Sequence, residues 1–209
     1  MEHQLGALSK IRNGCVLCGD TGSGKSLTSL AYFYVLQGGN ISYLNGKDDA
    51  WSCNETVQDL YIITTAKKRD DREWEKEFEL IGIKRYGNKV VVDSWSNIKK
   101  YTDVAGAFFI FDEQRVIGTG VWVKSFLNIA KHCNWILLSA TPGDKWEDYI
   151  PLFIANGFYK NRTDFINRHV IFSRFTKYPK IEKYIGAGIL SLHRRDILVP
   201  MDFERQTVQ

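Results

Sequence analysis

The stretch Gly19-Asp20-Thr21-Gly22-Ser23-Gly24-Lys25-Ser26 constrains this chain more than any other. It satisfies the spacing G-x-x-x-x-G-K-[ST] at every fixed position, and its flanks supply the setting that the pattern requires. Before it, Gly14 to Cys18 is a short apolar run that reads as a buried strand. After it, Leu27 to Leu36 carries apolar residues at helical spacing. A strand, a glycine-rich turn and a helix N-terminus together make a cradle for phosphate. Glycines let successive backbone N–H groups converge, and the helix end adds partial positive charge. Thr21, Gly22, Ser23 and Gly24 would wrap the phosphates, Lys25 would neutralise the terminal ones, and Ser26 would offer a hydroxyl to Mg²⁺.

A chain of 209 residues holds one large α/β domain with room for an appendage. With 44% hydrophobic and 25% charged residues, the composition is that of an ordinary globular protein. No apolar stretch approaches membrane-spanning length, and Met1 to Arg12 lacks the apolar core of a secretion signal, so the expected compartment is the cytoplasm. Cys15 and Cys18 form a C-x-x-C, and the only other hint of ligands is His132-Cys133. Residues three apart on a strand point to opposite faces, which is poor geometry for a shared metal. Small buried thiols are the expectation.

Further along, apolar runs and helical patterns alternate. Ile41 to Leu44 reads as a short strand and Asn45 to Glu55 as a polar loop. Leu60 to Thr65 is a β-type run, followed by an amphipathic helix from about Asp70 to Ile81 with Trp74, Phe78 and Ile81 on one stripe. Lys89 to Val92 is a strand, after which Asp93-Ser94 caps a short helix reaching Tyr101. Phe108 to Phe111 and Trp135 to Leu138 are strands, and Val121 to His132 and Trp146 to Ala155 are helical. Near-continuous apolar strands alternating with helices predict a mostly parallel sheet covered on both faces. Ligands gather at the carboxyl ends of such strands. That is where the glycine-rich loop, Asp112-Glu113 and Ser139-Ala140-Thr141 fall.

Charge is unevenly spread. Residues 1–155 hold 18 Lys+Arg against 19 Asp+Glu, whereas residues 156–209 hold 10 against 5. Phe165, Phe172, Phe175 and Tyr178 interleave with those cations, a pattern that suits a nucleic-acid surface, since phosphates attract cations and bases stack on flat rings. A solvated basic face with its aromatics in the core fits the composition equally well.

Asp112, after four apolar residues, suits a carboxylate that holds Mg²⁺ through water, and Glu113 beside it suits a base for the attacking water. With these residues in place the chain resembles the first, RecA-like lobe of superfamily-two helicases. Gly19 to Ser26, Asp112-Glu113-Gln114-Arg115 and Ser139-Ala140-Thr141-Pro142 look like motifs I, II and III, in order. The likeness is greatest to the Swi/Snf-like branch and to helicases encoded by phages of Gram-positive bacteria. His3-Gln4 is similar to the glutamine that reads adenine in this group. Thr64 to Lys68 with Trp74 and Glu77-Phe78 resembles motif Ia and the helix behind it, and Asp93-Ser94-Trp95 resembles motif Ib. His193-Arg194-Arg195 through Val199-Pro200 is similar to the segment that closes the first lobe.

The resemblance implies an α/β, RecA-like P-loop NTPase with ATP and Mg²⁺ as ligands and nucleic acid, DNA more than RNA, as the track. It implies that Lys25, Asp112 and Glu113 are catalytic, that Ser26 and Asp112 hold the metal, and that Gln4 and residues 21–26 bind ATP. Ser139 and Thr141, with Arg115, would couple nucleotide state to the track, and Thr65, Lys67 and Ser94 would touch the nucleic-acid backbone. Residues 1–157 would form the ATP-binding lobe, and residues 158–209 a basic extension completing it. Arg115 stands where the family usually has His or Asp, so its contacts should differ. Nothing up to Gln209 resembles a second lobe with its arginine finger, so this chain alone is expected to bind ATP but hydrolyse it poorly. Two other readings remain: an ATP clamp whose partner supplies chemistry, and another phosphate-loop enzyme such as a nucleotide kinase or a terminase motor. Ser-Ala-Thr-Pro after the fifth strand has no use in a kinase.

Overall fold

The structure, a computed structural model, describes residues 2–39, 56–81, 87–113, 116–176 and 178–201. The expected strand at Ile41 to Leu44, the polar loop after it and Arg115 lie outside the described residues. The described residues contain eight strands: β1 Val16–Cys18, β2 Leu60–Thr64, β3 Val90–Ser94, β4 Phe108–Asp112, β5 Asn134–Ser139, β6 Val170–Phe172, β7 Ile181–Tyr184 and β8 Leu198–Pro200. Six of them form one sheet in the order β3-β2-β4-β5-β1-β8, and every pairing in it is parallel. β6 and β7 form a separate antiparallel hairpin. This is the α/β architecture expected, a parallel sheet with helices on both faces.

Alternation along each strand divides the core in two. Leu17, Leu60, Ile62, Phe108, Ile110, Ile136 and Leu138 pack on one side, against α1 (Glu2–Leu8), α2 (Lys25–Leu36) and Trp74 and Phe78 of α4 (Glu73–Ile81). Val16, Tyr61, Ile63, Phe109, Phe111, Trp135 and Leu137 pack on the other side. There they meet Trp95, Phe126 of α5 (Val121–Ala130), Phe153 of α6 (Ile150–Ala155), Phe165 of α7 (Arg162–His169) and Leu190 of α8 (Ala187–Ile197). Both faces of the sheet are therefore apolar, which is why the strands read as continuous hydrophobic runs. Cys15 joins the first core and Cys18 packs against the second, the opposite-face placement that strand geometry requires. Burial pushes the Cys15 thiol up to about 11 and the Cys18 thiol to about 12, so neither is a thiolate at neutral pH.

Several boundaries differ from the sequence reading. The helix expected from Asp70 is split into α3 (Ala66–Asp70), capped by the Thr65 side chain, and α4, which begins at Glu73. Arg72 at φ +54 makes the break between them. The helix after β3 is a 3₁₀ turn, Trp95–Tyr101, and its cap is built from Asp93, whose carboxylate accepts from the Ser94 amide, Asn97 and Tyr101. Trp146 to Ala155 is likewise a 3₁₀ turn, Trp146–Tyr149, followed by α6. Pro151 sits in the first turn of α6, where its missing N–H costs nothing.

The described residues after Asn156 are part of the same body. Leu198-Val199-Pro200 adds the sheet strand beside β1, while Phe165, Leu190 and Ile197 are wholly buried. The Tyr159 hydroxyl ties this region together, lying 2.8 Å from His169 Nε2 and 3.2 Å from His193 Nδ1. His169 Nδ1 is 2.9 Å from the Ile185 carbonyl, which can only accept. That contact puts the neutral ring's proton on Nδ1, so Tyr159 donates to Nε2 and accepts from His193. Tyr159→Phe should strand polar ring atoms in a buried setting and cost about 1–3 kcal/mol. A lower urea midpoint at unchanged slope would register it; an unchanged midpoint would show that the hydroxyl contributes nothing.

Candidate active site

Because the six sheet strands run in parallel, their carboxyl ends share one edge. Cys18 leads there into the glycine-rich loop, Thr64 into Thr65 and α3, Asp112 into Glu113, and Ser139 into Ala140-Thr141. Six residues separate Cys18 from Lys25, too few for an L-residue turn of this curvature without help. Gly22 and Gly24 provide it, at φ +84 and +82. A Cβ on Gly24 would also collide with the Gln4 amide, which α1 presses against the loop. His3 Nε2 lies 3.3 Å from the Ser23 carbonyl, a second tie between α1 and the loop.

The α2 N-terminus has no side-chain cap, so its first amides are left to whatever the loop encloses. Lys25 Nζ donates to the carbonyls of Gly19 (2.6 Å) and Asp20 (2.8 Å). Burial holds the ammonium below the usual lysine range, although Asp112 and Glu113 pull the other way. Ser23 is 1% exposed, and its hydroxyl has no hydrogen-bond partner among the described residues. Thr21 is exposed and Ser26 half-buried in the first turn of α2.

At the end of β4 the two acids are held by residues of the segments that resemble motifs Ia and Ib, to which sequence reading assigns no role at the acids. Asp112, 1% exposed, accepts from the Thr64 hydroxyl (2.8 Å) and from Lys68 Nζ (3.1 Å). Lys68 also pairs with Glu113 at 2.7 Å, bridging both carboxylates. The Trp95 indole donates to the Asp112 carbonyl at 2.9 Å, fixing the strand end from the other face. Burial raises the Asp112 carboxyl above the usual range despite Lys68, because its side chain is 2% exposed. Lys68, 20% exposed, suffers less from burial, and the two acids raise its ammonium above the ordinary value. Glu113 sits at φ +58, a left-handed conformation rare for a residue with a side chain. Its amide donates to the Leu138 carbonyl of the neighbouring strand at 3.1 Å, which holds that backbone in place. Strain of this kind persists where surrounding structure over-determines it.

Ser139 is buried and its hydroxyl accepts from the Thr141 amide at 3.2 Å, closing a small turn after β5. Thr141 itself is exposed. Thr65 caps α3 by accepting from the Lys68 amide, and Lys67 points its exposed side chain outward one residue before Lys68 turns in. Ser94 is only 2% exposed, and its hydroxyl is engaged by Arg69 (3.1 Å) and Ser96 (2.7 Å). The exposed Ser96 and the Arg69 guanidinium therefore carry the surface over it. Asp93 gathers the same group. Burial alone would raise its carboxyl, but bonds from Asn97, Tyr101, the Ser94 amide and Arg69 outweigh that and hold it low.

The contacts of Thr64 and Lys68 with the acids had faint signals in the sequence. Thr64 is in register to flank Asp112, since Ile63 pairs with Phe111. Lys68 stands three positions after the Thr65 cap, one helical turn on. Sequence spacing alone does not say that this turn faces β4.

Comparison with known proteins assigns this chain neither a family nor an activity. No family model matches the chain, and no curated protein matches it. Among solved structures the chain is similar to the Pyrococcus furiosus Hef helicase domain, at 15% identity and a TM-score of 0.46. The likeness covers 82% of this chain and 40% of that one, so this chain spans well under half of its length.

Proposed function

We propose that the chain is an ATP-binding lobe of a nucleic-acid helicase or translocase of the superfamily-two type. The observation that carries the reading is the convergence, on one sheet edge, of a phosphate loop at an uncapped helix, a paired Asp112-Glu113 and the Ser139 turn. The donor set fits Mg²⁺, a hard cation that takes oxygen ligands: the Ser26 hydroxyl and the Asp112 carboxylate would hold it. The metal, when bound, neutralises phosphate charge. Lys25 would exchange its two loop carbonyls for phosphate oxygens, and the buried Ser23 hydroxyl would find its partner in the same ligand. Glu113 would orient and deprotonate the attacking water, and Gln4, beside Gly24, would read adenine.

Thr65 and Lys67, with the surface around Ser94, would meet the nucleic-acid backbone, DNA in preference to RNA. Lys68 would make the connection between that surface and the acids, because one helix turn carries both the outward Lys67 and the inward Lys68. Ser139 and Thr141 would relay nucleotide state from the neighbouring strand. A lobe that only clamps ATP is the second reading; it shares the loop and lacks turnover with any partner lobe.

Lys25→Ala is expected to lower Mg·ATP affinity about tenfold to a hundredfold, the loss of a charge-assisted contact worth about 1.5–3 kcal/mol. Isothermal titration of wild type and variant measures it. Equal affinities in the two proteins would end the phosphate-loop reading.

A further inference from the structure

The β6–β7 hairpin exposes apolar rings that no core claims. Phe175 is 97% exposed, Tyr178 75% and Phe172 39%, whereas Phe165, earlier in the same basic segment, is wholly buried. The aromatic residues of the basic C-terminal segment thus divide into core and surface groups. Folding alone gives no reason to place rings at a hairpin tip, because burying each would stabilise by roughly 2 kcal/mol.

The described residues of the tip are tied to one another. The Ser173 amide donates to the Lys180 carbonyl (2.9 Å), the Phe175 amide to the Ser173 hydroxyl (3.3 Å), and the Thr176 hydroxyl to the Tyr178 carbonyl (2.8 Å). Its charge is one-sided: from 170 to 184 the sequence has Arg174, Lys177, Lys180 and Lys183 against Glu182. Cations alternate with rings along it, a composition that suits neither an apolar protein contact nor a plain solvated turn.

Its base fixes where it stands. The Tyr184 hydroxyl lies 3.4 Å from Glu147 Oε2, and Lys145 and Glu147 line, with hairpin residues, a cavity of about 560 Å³ between the hairpin and α7. Lys145 follows the Ser139-Ala140-Thr141-Pro142 turn by three residues. Ile185 is bonded to His169, and Gly186 turns the chain into α8 at φ +69, where a Cβ would press on the His169 ring. The base of the hairpin is thus tied to residues 145–147, which follow the turn at the end of β5, and to His169 of α7.

We infer that this hairpin is a base-stacking platform for single-stranded nucleic acid, with Phe175 and Tyr178 as the stacking rings and Arg174 and Lys180 as the phosphate contacts. The assignment rests on the reading of the chain as a nucleic-acid-dependent lobe and adds the element that touches bases. A platform of flat rings among cations binds any base by its π-face and the backbone by charge, so it favours unpaired strands over duplex. In a duplex the base faces are already stacked on one another.

The test uses the full chain, a fluorescein-labelled 20-nucleotide dT strand, an abasic strand of the same length and a 20-bp duplex, read by anisotropy. Phe175→Ala and Tyr178→Ala should each weaken dT binding by roughly 5- to 150-fold. They should leave abasic-strand and duplex binding within about twofold, and Phe175→Trp should restore the dT affinity. Calorimetric Mg·ATP affinity should match wild type in every hairpin variant, which separates this inference from the phosphate-loop reading. Unchanged dT affinity in both alanine variants overturns the platform. So does equal weakening on dT and abasic strands, which would make the rings mere supports for the cations. A shift in oligomeric mass on Phe175→Ala, with DNA affinity intact, would assign the tip to a second copy of this chain instead.

Discussion

ATP turnover by this chain is expected to rise by about 10³–10⁵ when a second RecA-like lobe is supplied, in cis or in trans. The phosphate loop, Asp112, Glu113 and the Ser139 turn form a single wall along one sheet edge. Charge developing on a transferred phosphoryl group needs cations on its far side, in a setting from which water is excluded. Of the arginines described near the acids, Arg69 is already committed to Asp70 and Asp93. A facing lobe would bring a guanidinium to the phosphate and close the site at the same time. Steady-state ATPase assays of the chain alone, and of the chain with an added helicase second lobe, measure the effect. DNA stimulation should appear only in the second case. Brisk, DNA-stimulated turnover by the chain as a monomer would refute this need for a second lobe.

Glu113→Gln should lower turnover of the two-lobed assembly by about 10²–10⁴, the usual worth of a general base, while Mg·ATP affinity stays within a few-fold. The substitution keeps side-chain shape and the hydrogen bond from the backbone N–H of residue 113 to the Leu138 carbonyl, so the strained φ +58 backbone survives it. What changes is the acceptor for the water's proton. One charge also leaves the Lys68 bridge, and Lys68 then belongs to Asp112 alone. Single-turnover measurements separate binding from chemistry. Loss of affinity on the scale expected for Lys25→Ala would make Glu113 a ligand of metal or phosphate rather than a base.

Much of the architecture was legible in the residues themselves. Local apolar runs such as Phe108 to Phe111, ended by a carboxylate, can be read without knowing their neighbours, because a strand buried on both faces leaves no polar position. The phosphate loop is likewise local, since its chemistry depends on glycines, a lysine and a hydroxyl at fixed spacing within one turn. Element ends were less visible. Arg72 in a left-handed conformation divides α3 from α4, and nothing in an arginine announces that. The hairpin and the strand Leu198–Pro200 are three or four residues per strand, too short for periodicity to register.

What the sequence determined by itself was therefore the set of chemical groups and the class of fold: a phosphate cradle, paired acids, and apolar strands alternating with helices. Only the tertiary structure decided who holds whom. Strand order puts β2 beside β4, and so Thr64 and Lys68 onto Asp112 from positions 48 and 44 residues away in the chain. The same packing turned Phe165 inward and left Phe175 in water, though both belong to one basic, aromatic segment. Composition fixes how many rings and charges a segment carries; which of them are buried depends on the surfaces that distant strands and helices bring against it.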